Sequence, residues 1–180
     1  MSTNPSDDIS TQRYGTEWEY KALRDEILKR IEMRQQIVAV ALTLAGIFLG
    51  VGINTESVAL VYPPLAMFLA FGWAQNDFRI RESAKYIREN LESRIPGLKY
   101  ETHVQEQRRT PGSSLGSWRF VVLSHGGVFL VTQLMAIGIE LLKLTFNPLE
   151  WGLFGIDAIA MIVVVWLMVR SAEEWRNPTK

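Results

Sequence analysis

The sequence predicts an all-α integral membrane protein with four transmembrane helices in two hairpins, the first two helices extended into a helical stalk. Three observations predict it. Four long apolar segments recur along the chain. Nearly all the basic residues fall on one side of them. The charge sits in segments that carry amphipathic helical periodicity. The chain has 180 residues, is 48% hydrophobic, and balances 19 basic against 19 acidic residues. The mean hydropathy of +0.06 averages two unlike kinds of segment.

The first apolar segment, 37–53, has no charge, and neither does the second, 58–74. The third, 120–139, contains His125, and the fourth, 151–169, contains Asp157. A span needs about 20 mainly apolar residues, within a range of about 17 to 25. A soluble helix keeps a charged stripe at 3.6-residue spacing, which these segments lack. Residues 1–16 are polar without an apolar stretch, so the expectation is a disordered tail and no cleavable signal peptide.

Every Lys and Arg except Lys143 lies before the first segment, between the second and third, or after the fourth. The positive-inside rule makes that side cytoplasmic, with both termini there. Trp73, Trp118, Trp151 and Trp166 lie near span ends, where amphipathic rings favour the interface. The expected location is a bacterial inner membrane, with the lipid bilayer as the first partner.

Before the first span, Tyr20, Leu23, Ile27 and Ile31 recur at helical spacing. No helix breaker intervenes from Glu17 to Ile53, so one helix of about 37 residues, roughly 55 Å long, is predicted. The second span continues similarly, with Ile80, Ala84, Ile87 and Leu91 on one stripe, and stops at Pro96-Gly97. The two stripes bury best against each other, so Leu23, Ile27 and Ile31 are expected to meet Ile80, Ile87 and Leu91. A helix lying flat on anionic lipid is the alternative, and the acids mixed among the bases oppose it. Residues 17–109 thus form a long helical hairpin. Leu98, Tyr100 and Val104 loosely follow a period of two, leaving 98–109 ambiguous between strand and helix. The Pro/Gly/Ser run 110–117 reads as a flexible linker, 118–170 as the second transmembrane hairpin, and 171–180 as a cytoplasmic tail.

No P-loop, GxSxG, HExxH or GxGxxG motif occurs. With no Cys and only His103 and His125, the sequence predicts no catalytic residues, metal site or cofactor. Zero net charge argues against nucleic acid as a partner.

The candidate functional residues are those inside the spans, because polar groups are costly in lipid. His125, Thr132, Gln133 and Glu140 fall within about a 100° sector of the third span. Asp157 of the fourth span comes to a depth similar to that of Gln133. The functional reading is a polar pathway or a switchable contact, and the structural one is hydrogen bonding that fixes helix packing. Gly46 and Gly50 form a GxxxG pattern suited to close helix packing and self-association. Pro63-Pro64 predicts a kink in the second span.

The run EYKALRDEILKRIEMRQQ, with YPPLAMFLAFGWAQNDFRIRESAKYIREN later, resembles a widespread family of small uncharacterised bacterial membrane proteins over residues 17–105. The layout of few spans plus a short cytoplasmic helical part is similar to SLATT-type membrane effectors of antiviral defence. That resemblance implies a homo-oligomer that disrupts the membrane on a signal. With no catalytic constellation, the leading expectation is a non-enzymatic, self-associating membrane protein whose stalk receives a cytoplasmic protein partner. The alternatives are a small transporter or accessory subunit using the polar stripe, and a membrane scaffold.

Overall fold

The computed structural model describes residues 5–55, 57–95, 97–109, 118–143 and 148–176, with no strand among them. Helix α1 covers Pro5–Gly52, α2 Tyr62–Tyr86, α3 Tyr100–Arg109, α4 Trp118–Leu141 and α5 Pro148–Arg176. A 3-10 turn, Ala59–Val61, leads into α2, and a π-helical turn, Ile87–Leu91, follows it. The linker expected at 110–117 lies outside the described residues.

Helix α1 begins at Pro5, so helix occupies most of the segment expected to be a disordered tail. Once a turn exists, propagation adds a hydrogen bond for each residue fixed, so a polar run contiguous with a stable helix joins it readily.

Two helical stretches are long and apolar enough to cross a membrane, within Tyr14–Gly52 and Pro148–Glu173, and Gly126–Leu141 is a shorter apolar helix. The second apolar segment of the sequence is divided between the 3-10 turn and the start of α2. The expectation of a kink at Pro63-Pro64 is corrected: both prolines lie in the first turn of α2, just after the 3-10 turn. There they interrupt no established helix, because first-turn N–H groups have no intrahelical acceptor. The expectation left open over 98–109 resolves as helix α3.

The chain forms two compact units. Unit one comprises 1–33 and 76–113, and unit two comprises 34–75 and 114–180. In unit one, Ile27, Ile87 and Leu91 form a buried apolar cluster, with Tyr20, Leu23, Ile31, Ile80 and Ala84 packed against it. In unit two the core gathers Ala41, Ala45, Ala59, Tyr62, Ala66, Ala70, Trp73, Phe129, Ala136 and Val164. Six of these ten are alanines, and small residues let helix backbones approach closely. Gly52 extends this logic. A Cβ placed on it would stand 2.7 Å from the Ala59 Cβ and 3.0 Å from the Ala59 nitrogen. The α1 end therefore turns into the 3-10 segment only because residue 52 has no side chain.

Candidate functional site

The polar groups of α4 sit inside unit two. Thr132, Gln133 and Glu140 are all buried, as is Asp157 on α5. His125 lies in α4, but its side chain falls outside the described residues. The order of the α4–α5 pair comes from Gly126, where an added Cβ would strike the end of the Met168 side chain. Residues 126 and 168 are thus level on antiparallel helices. At about 1.5 Å per residue, Asp157 then lies level with residue 137, roughly one turn from Gln133 and less than one turn from Glu140. Asp157 thus lies, in depth, between the two.

Each polar residue has a different arrangement. The Tyr62 hydroxyl lies 2.8 Å from Thr132 Oγ1 and 3.3 Å from the Ala41 carbonyl oxygen. Thr132 Oγ1 is 2.7 Å from the carbonyl oxygen of Val128. Two hydroxyl protons serve this chain, and the two shorter distances assign them. Tyr62 donates to Thr132, and Thr132 donates to Val128. The Gln133 side-chain amide donates to the Pro63 carbonyl oxygen at 3.0 Å. Toward the α4–α5 connection, Lys143 Nζ is 2.7 Å from a Glu140 oxygen and donates to the Thr55 carbonyl oxygen at 2.7 Å. Nearby in the chain, Ser57 adopts a left-handed backbone with φ of 63° and donates its hydroxyl to Glu150 at 2.9 Å.

Several acceptors remain without a hydrogen bond among the described residues. They are Gln133 Oε1, Glu140 Oε1 and both carboxylate oxygens of Asp157. Native buried polar groups are nearly always bonded, so this set is unusual. The described residues hold no group of three or more His, Cys, Asp or Glu arranged for a metal ion.

Gly46 and Gly50 are exposed, and a Cβ on either would meet nothing within 4 Å. Among the described residues, nothing packs against either position. Trp73, expected near an interface, is buried in the core with the Arg34 guanidinium 5.4 Å from its ring centre. Trp151 and Trp166 are exposed. The side chain of Trp118 lies outside the described residues.

In unit one, the stripe residues Leu23, Ile27, Ile31, Ile80, Ile87 and Leu91 all belong to one cluster. Polar contacts fasten α3 to it. Glu92 ends the π-helical turn, and its two carboxylate oxygens accept from the backbone N–H groups of Glu101 and Thr102 at 2.6 and 3.1 Å. It thereby acts as a helix cap borrowed from another element. Arg24 is 2.6 Å from Glu101 and 4.5 Å from the centre of the Tyr100 ring. Tyr86 donates to Glu19 at 2.7 Å, and this bond to a carboxylate raises the phenol above its ordinary pKa.

Sequence reasoning missed Tyr62, Lys143, Ser57, Glu150 and Glu92 as partners. Tyr62 is hidden in an apolar run, and Lys143 reads as a loop base until Glu140 is placed one turn away. Glu92 carries no local signal, because it caps a helix that begins eight residues later. No protein-family profile, no curated protein and no solved structure matches this chain.

Proposed function

We propose that this chain is a non-enzymatic, self-associating protein of the bacterial inner membrane. It crosses the membrane four times, at 37–53, 58–74, 120–139 and 151–169, with both termini in the cytoplasm. It acts as a signal-responsive membrane effector or channel-like element of a defence system. Unit one receives the signal, and unit two changes the permeability of the membrane.

The observation that carries this reading is the polar interior of unit two. Asp157, Gln133 and Glu140 are buried between apolar helices with acceptor oxygens unpartnered. For packing alone, apolar side chains of similar volume often serve as well or better than buried charged groups. Polar groups are required where the interior faces water in a second state. The outer surface of α5 supports the membrane setting, since Ile156, Ile159, Ile162, Trp166 and Val169 are exposed. A contiguous apolar surface of this kind suits lipid or a partner helix. The architectural similarity to SLATT-type effectors supports the effector role and the homo-oligomer.

The test is membrane potential, followed with a dye in cells producing the chain under triggering conditions. Wild type depolarises the cells. Asp157→Leu and Gln133→Leu keep expression and self-association but lose depolarisation. A wild type that never depolarises overturns the effector reading. Mutants that depolarise like wild type reduce the polar interior to packing.

A further inference from the structure

The unpartnered oxygens of unit two share one property. Gln133 Oε1, Glu140 Oε1, Asp157 Oδ1 and Asp157 Oδ2 are all acceptors, and none of them has a donor among the described residues. Asp157 has no solvent exposure at all. A bare carboxylate removed from water to an apolar interior costs so much that the group takes up a proton or finds a counter-charge.

The described cations of unit two are engaged elsewhere. Lys143 binds Glu140 and the Thr55 carbonyl oxygen. Arg34 lies over the Trp73 ring, and Arg170 lies 5.5 Å from the Trp166 ring centre. The 3-10 turn Ala59–Val61, which packs against α5, carries no ionisable side chain. Helix α2 meets α5 through Ala70, Trp73 and Ala74, which are not ionisable either. On α4, Gln133 and Glu140 lie, in depth, on either side of Asp157. On α5 itself, Glu150 is taken by Ser57.

We propose that the α4–α5 pair contains a proton-binding site in which Asp157 carries the proton. One proton supplies the missing donor. It converts Asp157 from an unpaired anion to a neutral acid whose O–H can point to Gln133 Oε1 or Glu140 Oε1, each within about a turn. Glu140 has Lys143 as its ion-pair partner at 2.7 Å, whereas Asp157 has no described cation beside it. Loss of the proton leaves a charge that the apolar core cannot hold, and the helices must then separate enough to admit water. Proton release is thus the chemical event that would open the pathway proposed above. The proton site rests on that reading only for the membrane setting of α4 and α5, and its link to opening rests on the proposed pathway.

The experiment is labelling of the full chain in its membranes with dicyclohexylcarbodiimide. This apolar reagent adds to a protonated carboxyl group: the acid proton moves to a carbodiimide nitrogen, the carboxyl oxygen bonds the central carbon, and the acyl group then migrates to nitrogen with nothing expelled. Peptide mass spectrometry locates the adduct. Asp157 should be the modified residue, and Asp157→Asn should remove the adduct. Above the pKa of the site, labelling should fall about tenfold for each further pH unit. Exposed carboxylates such as Glu26 should stay unlabelled. An unlabelled Asp157 at mildly acidic pH, in membranes where wild type still depolarises cells, overturns the proton site and leaves the effector reading intact. Suppression of the label by sodium at constant pH also overturns it, in favour of a metal cation among the same oxygens.

Discussion

Gln133 on α4 donates its amide to the carbonyl oxygen of Pro63, 70 residues earlier in the chain, at 3.0 Å. The bond ties the interior of the α4–α5 pair to the first turn of α2. Tyr62, the neighbour of Pro63, makes a second tie through Thr132. Adjacent residues on α2 therefore hold adjacent residues on α4, which fixes the rotation of one helix against the other.

Interhelical hydrogen bonds in membranes contribute about 0.6 kcal/mol each, with a maximum near 1.7. Gln133→Leu removes one such bond together with the unpartnered Oε1, so its net cost is expected below about 1 kcal/mol. Tyr62→Phe, which removes a fully buried hydroxyl and leaves Thr132 short of a donor, should cost more, about 1–2 kcal/mol. Reversible unfolding in detergent measures both. A Gln133→Leu protein that fails to fold would show that the amide is indispensable to the helix arrangement.

The glycines divide by what surrounds them. Gly52→Ala drives a Cβ into the backbone and Cβ of Ala59, neither of which can rotate away. It should destabilise the chain by several kcal/mol, as overpacking of a rigid contact does. Gly126→Ala meets only the flexible end of Met168, which can choose another rotamer, so its cost should be smaller. Gly46→Ala and Gly50→Ala enter open space and should leave the fold of the monomer unchanged. If α1 mediates self-association through that face, Gly46→Ile should reduce crosslinked oligomer while thermal unfolding of the chain stays the same.

The parts legible in the sequence are those where a repeating pattern reports a repeating environment. Leu23, Ile27 and Ile31 share a face because of helical spacing, as do Ile80, Ile87 and Leu91, and two apolar stripes must be covered. The polar residues of α4 stand out because each interrupts an apolar run. The illegible parts depend on single contacts between distant residues. Nothing around Pro63 announces that its carbonyl is an acceptor for Gln133. The 3-10 turn before α2 is absorbed into the second span, because Val58 to Val61 are ordinary apolar residues. Only their position after the left-handed Ser57 makes the prolines a helix start rather than a kink. Helix α3 was ambiguous for the same reason, since its cap comes from Glu92.

That cap offers a local test. Glu92→Gln keeps the shape of the side chain but loses the charge that favours a helix N-terminus and one of its strong acceptors. Glu92→Ala loses both contacts with the N–H groups of Glu101 and Thr102. Replacing a cap with Ala costs about 0.5–2 kcal/mol. Hydrogen exchange should accelerate in α3 by up to about thirtyfold for Glu92→Ala, and less for Glu92→Gln. The Ile27–Ile87–Leu91 cluster should keep its protection in both variants. Equal acceleration across the whole of unit one would show that α3 is integral to that cluster rather than fastened to it.

Topology is the prediction on which the membrane reading depends. All basic residues but Lys143 lie in segments assigned to one side, and Lys143 is neutralised by Glu140. An unpaired lysine in an outer loop would weigh against the assigned orientation, whereas one bound at 2.7 Å to a buried carboxylate weighs little. Reporter fusions after Arg109 and at the C-terminus should both read cytoplasmic. A reporter inserted between Asn54 and Ser57 should read external. The hardest case is the second span, since its apolar residues are shared between the 3-10 turn and the opening of α2. If that segment does not cross, the fusion after Arg109 reads external while the first hairpin position keeps its signal, and with three crossings left the C-terminal fusion reads external as well. A cytoplasmic reading after Arg109, with an external one at the turn, is what four crossings require.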